Sequence, residues 1–159
     1  MFTQTDYSGD RTAQFSMLSK QLDALLEGET NAVANLSNAS ALLNQFLERI
    51  NWVGFYLMED GELVLGPFQG LPACVRIQVG KGVCGTAVSE KKTMLVEDVH
   101  AFPGHIACDA ASRSEIVIPL IKDGEVIGVL DIDSPELSRF TEEDQAGLEQ
   151  FTKVLMKHL

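Results

Sequence analysis

The hydrophobic period of this chain changes twice, and those two changes set the order in which helices and strands can occur. Phe15, Leu18, Leu22, Leu25 and Leu26 recur at helical spacing and stop before Gly28, a residue suited to a helix C-terminus. Thr30 can cap a second helix, along which Val33, Leu36, Leu43, Phe46, Leu47 and Ile50 form another apolar stripe. From Asn51 to Asp133 the pattern shortens to β-like runs broken by glycines: Trp52–Met58, Glu62–Phe68, Cys74–Val79, Met94–Val99, Glu115–Ile121 and Val126–Asp133. After Arg139-Phe140 the helical period returns. Thr141 precedes Glu142, Glu143 and Asp144, a capped acidic first turn, and Leu148, Phe151, Val154 and Leu155 carry the helix onward.

This pattern predicts one α+β domain over residues 1–159: a helix over 1–26, another over 30–50, a sheet with its loops over 51–133, and a last helix over 141–158. Asp60-Gly61 and Asp123-Gly124 lie between adjacent apolar runs and read as hairpin turns, so the six-stranded sheet should be mainly antiparallel. The N- and C-terminal helices are expected to cover one face together, which leaves the other for a ligand pocket. The segment from Ala101 to Ser114 has no clear period and is expected to be a loop that could close over that pocket.

Composition narrows the function. The 159 residues carry a formal net charge of −11, and no stretch gathers enough Lys or Arg to neutralise several phosphates, so nucleic-acid binding is disfavoured. The same acidity repels anionic membrane surfaces, and no run approaches the roughly 18 apolar residues needed to span a bilayer. The N-terminus lacks a basic stretch followed by an apolar run, so a cytoplasmic location is expected. Three cysteines, Cys74, Cys84 and Cys108, are an odd number, which points to thiols kept for reactivity, metal binding or packing rather than a framework of pairs.

Several side chains could carry chemistry. Trp52, Gly54, Tyr56 and Met58 share one face of the first strand, so two aromatic walls flank a missing side chain, which suits a small apolar group or a cation; core packing is the plain alternative. Asp131 and Asp133 continue a row begun by Ile127 and Val129, roughly 7 Å apart, where burial and mutual repulsion raise carboxyl pKa values; capping of Ser134-Pro135 is the alternative. Glu115 joins that face only in one register. A two-residue turn at Asp123-Gly124 would set it opposite Ile132, on the wrong face, whereas a three-residue loop from Lys122 to Gly124 with a bulge sets it opposite Asp131, and this second geometry is expected.

Cys84, in Gly80-Lys81-Gly82-Val83-Cys84-Gly85-Thr86, should begin a short helix whose N-terminus favours thiolate, or else be a small buried hydrophobe. Cys108, between Ala107 and Asp109, is the hardest to explain as packing. His105 and Cys108 have a two-ligand spacing that Cys74 or Cys84 could complete, but without a Cys-x-x-Cys pair the zinc signal is weak, and no metal or cofactor is expected. The glycines at 80, 82 and 85 lack a following Lys-Ser/Thr and make a poor phosphate cradle.

Gly82-Val83-Cys84-Gly85-Thr86-Ala87-Val88, Ser114-Glu115-Ile116-Val117-Ile118-Pro119-Leu120, Gly128-Val129-Leu130-Asp131-Ile132-Asp133 and Arg139-Phe140-Thr141 together resemble a GAF domain. More narrowly, Asn51 to Tyr56, Leu65 to Gly70, Ala73 to Ile77 and Gly104 to Ala110 look like the free methionine-(R)-sulfoxide reductases, a resemblance that runs from about Glu27 nearly to the C-terminus. It implies reduction of free L-methionine (R)-S-oxide through a cysteine sulfenic acid and a disulfide that thioredoxin resets. It further implies Cys108 as nucleophile, Cys74 as resolving cysteine and Cys84 as an auxiliary thiol able to form an alternative disulfide. Glu115, Asp131 and Asp133 would bind the substrate ammonium and supply the proton, Trp52 and Tyr56 would receive the methyl end, and a homodimer is an open possibility. The competing reading is a GAF sensor or binding module without catalysis, which would have to signal through a separate chain.

Overall fold

The structure, a computed structural model, describes residues 2–105 and 109–159. Helix α1 (Arg11–Leu26) starts at Asp10, whose carboxylate accepts from the Ala13 amide. Helix α2 (Ala32–Phe46) starts at Asn31 rather than at Thr30, because the Asn31 side-chain oxygen reaches the Ala34 amide at 2.9 Å. Six strands follow: β1 (Trp52–Glu59), β2 (Glu62–Gly70), β3 (Arg76–Gln78), β4 (Met94–Val96), β5 (Ser114–Lys122) and β6 (Glu125–Ser134). Helix α3 (Gly82–Glu90) sits between β3 and β4, and α4 (Glu142–Met156) ends the chain with a reciprocal capping box between Thr141 and Asp144.

The strands form one sheet in the order β3-β2-β1-β6-β5-β4, with every neighbouring pair antiparallel. The outer strands β3 and β4 are shorter than the runs Cys74–Val79 and Met94–Val99 suggest. Cys74 lies in coil before β3, and Val99 begins a 3-10 turn over Val99–Ala101.

Strand alternation divides the interior in two. Val53 and Phe55 of β1, Ile116, Ile118 and Leu120 of β5, and Leu130 and Ile132 of β6 face α1, α2 and α4 in the larger core. Trp52 and Tyr56, Val117, and Val129 face the other way, against α3 and the segments around β3 and β4. The terminal helices therefore do cover one face. Val33 leaves the expected stripe of α2, since it is 65% exposed beside the new cap.

The corner where α1, α2 and α4 meet the sheet is tied by buried charge. The Arg139 guanidinium donates twice to the Glu48 carbonyl, at 3.0 and 2.9 Å, and once to Asp144 at 3.2 Å, while Arg11 donates to the other Asp144 oxygen at 3.2 Å. Burial lowers the Arg139 pKa and Asp144 opposes that change.

Gly54 has a structural purpose. A Cβ built there would lie 2.2 Å from Phe68 Cβ, so the gap between Trp52 and Tyr56 admits the neighbouring strand and not a ligand. The plain reading of this glycine holds, and the cation-sized vacancy expected from the sequence does not exist at that position. Gly54→Ala is therefore expected to destabilise the fold by about 2 kcal/mol through overpacking, lowering the midpoint of thermal unfolding by about 4–8 °C, as read by circular dichroism.

Candidate active site

The register of three central strands places the site. Trp52 of β1 pairs with Asp133 of β6, which pairs with Glu115 of β5, so these three stand in one row across the sheet. The next row is Gly54, Asp131 and Val117, and the one after it Tyr56, Val129 and Pro119. All these side chains point to the face opposite the larger core, so Glu115, Asp131 and Asp133 converge as expected.

The device that brings Glu115 there differs from the expected one. The turn is two residues long: Lys122 pairs with Glu125, and both Asp123 (φ 52°) and Gly124 (φ 81°) adopt the left-handed conformation of a type I′ hairpin. A bulge follows, because Ile121 pairs with Val126 but Leu120 with Gly128. That one extra residue in β6 restores the face that a plain two-residue turn would reverse, and it sets Glu115 opposite Asp133 instead of Asp131.

Above the carboxyls lies the first turn of α3, with Cys84 as its third residue. Gly85 lets the helix approach the preceding chain, since a Cβ there would sit 2.4 Å from the Gln78 carbonyl oxygen. Gly85 thus serves close packing, whereas Gly80, with nothing within 4 Å of a Cβ built there, serves a left-handed turn at φ 86°. Indole and phenol form a wall, with Trp52 and Tyr56 stacked at 5.9 Å and Trp52 and Phe68 at 5.1 Å. The Trp52 indole donates to the Leu71 carbonyl at 3.1 Å and the Tyr56 hydroxyl to the Cys74 carbonyl at 2.9 Å.

Between the wall, the acids and α3 is a cavity of about 50 Å³, set in a hollow of about 570 Å³ that opens to solvent. Lys81, His105, Asp109 and Ser112 also line it, as does the coil from Leu71 to Ala73. Cys74 is half-buried at the edge of the same apolar cluster and is disulfide-bonded. Cys108 lies outside the described residues.

Burial dominates the electrostatics. It pushes the Glu115 and Asp133 carboxyls well above the usual carboxylate range, and the charge of Asp131 pushes them further. Asp131 is raised by burial as well, but hydrogen bonds from Glu115 and Cys84 and the nearby His105 work against the rise. Asp131 is thus the member of the set best able to hold negative charge, and its Oδ1 is buried without a hydrogen-bond partner among the described residues.

The Cys84 thiol is also pushed well above its ordinary value, first by burial and then by Asp131, Glu115 and Asp133. This reverses the expectation that the helix N-terminus favours thiolate, because desolvation and three acids outweigh the partial charge of one short helix. His105 is lowered by burial and by His100, whose ring centre is 6.1 Å away. Among the described residues, the donor atoms with metal-like spacing are those of Cys84, Glu115 and Asp131, all within 4.8 Å of one another, a different set from the one His105 suggested.

Asn51 was visible only as part of a motif, yet it links the site to its loop. Its amide donates to Asp109 at 2.9 Å and to the Ser112 hydroxyl at 3.0 Å, while Asp109 also accepts from the Ala111 amide at 2.8 Å. No periodicity in the sequence signals such a contact, which spans about sixty residues of chain; the position of Asn51 just before Trp52 is the one available hint.

A six-stranded antiparallel sheet with helices packed on one face and a walled acidic pocket on the other defines a small-molecule domain of the GAF type, and the GAF domain family matches residues 36–155. The chain belongs to that family and, within it, to the branch of the free methionine-R-sulfoxide reductases. The Escherichia coli protein of that name is 57% identical over 150 residues, covering 94% of this chain and 91% of its own. The free methionine-R-sulfoxide reductase of Neisseria meningitidis, solved with its substrate, superposes with a TM-score of 0.94 at 45% identity, covering 99% of this chain and 95% of that one. The fRMsr of Staphylococcus aureus, in a complex with substrate, gives 0.88 at 55% identity over 98% of this chain and 99% of its own.

The raised carboxyls make stability depend on pH with a definite sign. Unfolded, Glu115 and Asp133 titrate near 4.5 and 3.8; folded, both titrate higher, so above those values the native state binds more protons than the unfolded one. Their contribution is complete below about pH 4 and is lost as pH rises through the folded values. The ligand-free protein is expected to resist urea less well at pH 8 than at pH 5, and Glu115→Gln should flatten that dependence. Equal pH slopes for the two proteins would contradict the assignment.

Proposed function

We propose that this protein, read as one GAF domain over residues 1–159, reduces free L-methionine (R)-S-oxide to L-methionine by thiol chemistry. The observation that carries the reading is the acid triad beneath the Trp52–Tyr56 wall, with an Asp131 oxygen buried and without a hydrogen-bond partner among the described residues. A free amino acid offers the ammonium that such an oxygen lacks, and peptide-bound methionine does not. An ammonium seated against Asp131, and the aromatic wall beside it, leave Glu115 and Asp133 to hold protons for the sulfoxide oxygen. Their raised pKa values keep them protonated where an ordinary carboxyl would be ionised.

In this reading the Cys108 thiolate attacks the sulfoxide sulfur. The thiolate sulfur bonds to the sulfoxide sulfur while a carboxyl of Glu115 or Asp133 gives its proton to the sulfoxide oxygen; the substrate's sulfur–oxygen bond then breaks, the oxygen and its proton pass to Cys108 as a sulfenic acid, and methionine leaves with the electron pair. Cys74 then attacks the sulfenic sulfur, the disulfide forms and water departs with the thiol proton, so that two thiols and one sulfoxide yield one disulfide, one methionine and one water. Cys84, held as a neutral thiol by burial and the neighbouring acids, is a weak nucleophile and remains the auxiliary thiol for an alternative disulfide. A dithiol protein of the thioredoxin type resets the pair, and homodimer formation is part of the same reading. A cytoplasmic location is part of the same reading; among the described residues no helix is long and apolar enough to cross a membrane.

The test is a thiol count. The reduced protein, given one equivalent of free methionine-(R)-sulfoxide, should lose two thiols per methionine formed, and Cys108→Ser should form none while keeping its circular dichroism spectrum. Unchanged thiols would favour a sensing module instead. Asp131→Asn should raise KM by about 10- to 100-fold, the loss expected for a hydrogen bond to a charged group, and N-acetylmethionine sulfoxide should be a worse substrate by about a hundredfold or more.

A further inference from the structure

The coil between β2 and β3 carries Cys74, and its hold on the protein comes from beneath. Leu71 and Val75, which flank the Pro72-Ala73-Cys74 stretch, are 62% and 61% exposed, so their side chains do little to anchor it. Besides the Cys74 disulfide of the oxidised form and the packing of Ala73 and Cys74 on the apolar cluster, the segment is held through its carbonyl oxygens, which stay held when the disulfide is reduced: Leu71 accepts from the Trp52 indole at 3.1 Å, Cys74 from the Tyr56 hydroxyl at 2.9 Å, and Val75 from the Leu65 amide at 2.9 Å. Two of these three donors are the buried aromatic side chains that wall the cavity, 3% and 2% exposed. A buried indole N–H or phenol O–H requires a partner, and here each finds one on the cysteine-bearing coil. Burial and the charge of Asp131 keep the phenol protonated, so its donor is constant across the working pH range.

We propose that Tyr56, assisted by Trp52, is a positioning residue for Cys74: beyond walling the pocket, it holds the backbone from which the resolving thiol attacks. This inference rests on the thiol reading above and adds a second task to the wall. In the step concerned, the Cys74 sulfur bonds to the sulfenic sulfur of Cys108, the sulfur–oxygen bond breaks, and the oxygen leaves as water carrying the Cys74 proton. A loosened Cys74 carbonyl would slow that step without removing the ring that contacts substrate.

Tyr56→Phe retains the ring and deletes the donor. The fully reduced, full-length protein is mixed with one equivalent of free methionine-(R)-sulfoxide and a cyclic 1,3-diketone that traps sulfenic acids. Methionine release, loss of thiols and the trapped adduct are then followed on the same sample. The expected result is that thiol loss slows about 3- to 10-fold, the range for one neutral hydrogen bond, while methionine release slows less, so that the adduct accumulates several-fold over wild type. Trp52→Phe should act in the same direction, and it supplies the readout if Tyr56→Phe does not fold.

Thiol loss and methionine release that slow together, or an adduct level equal to wild type in both variants, would overturn the positioning role while leaving the reductase reading intact. Wild-type protein that releases no methionine would sink the reductase reading itself, and this inference with it.

Discussion

Three carboxyl groups on one face of a β-sheet, Glu115 and Asp131 buried and Asp133 half-buried, are the costly element around which this structure is arranged. Glu115, Asp131 and Asp133 lie close enough that charge on Asp131 raises the pKa of the other two, and burial raises all three. An isolated buried carboxylate is strongly disfavoured, so the group lowers its cost by keeping protons and by sharing them through hydrogen bonds from Glu115 and Cys84 to Asp131. The stability to hold such a cluster comes from elsewhere. On the reverse side of the same strands, Phe55, Ile116, Ile118, Leu130 and Ile132 pack against three helices in the larger hydrophobic core.

The division of labour follows from strand geometry. Adjacent residues of β5 and β6 point in opposite directions, so Ile116 and Ile132 anchor the fold while Glu115 and Asp131 face the cavity. Strand β1 does the same and more. Val53 and Phe55 join the larger core, Trp52 and Tyr56 form the wall, and Asn51 just before the strand ties down the 109–112 loop. One central strand thereby fixes the acids beside it, the coil bearing Cys74 on one flank and the descending end of the loop after Cys108 on the other.

How far this arrangement could be read from the chain depended on the range of the interaction. The four helices, the six strands, the two Asp-Gly turns and the aspartate row of β6 are set by local preference and period and occur in the expected order, but α1 starts only at Arg11, α2 covers Ala32–Phe46 rather than 30–50, and β3 and β4 keep three residues each of their longer apolar runs. Neighbour-dependent details went differently. Asn31 took the cap expected of Thr30, Gly54 accommodated Phe68 instead of opening a vacancy, and the Cys84 thiol was raised by acids that lie more than thirty residues away in sequence. Asn51 gave no signal of its own because its partners, Asp109 and Ser112, reach it only in the folded chain.

The order of helices and strands, and the face on which each residue of β1 or β6 stands, belong to the amino-acid sequence alone, because periods of 3.6 and 2 are properties of a few consecutive residues. The meeting of Glu115 with the aspartates does not. It turned on a bulge at Leu120–Ile121 that compensates a two-residue turn, and a bulge is chosen by which of two registers packs Ile116, Ile118 and Leu120 against the helices. The protonation of the acids and of Cys84 was likewise settled only in three dimensions, since desolvation is measured by everything that surrounds a group and not by its neighbours along the chain.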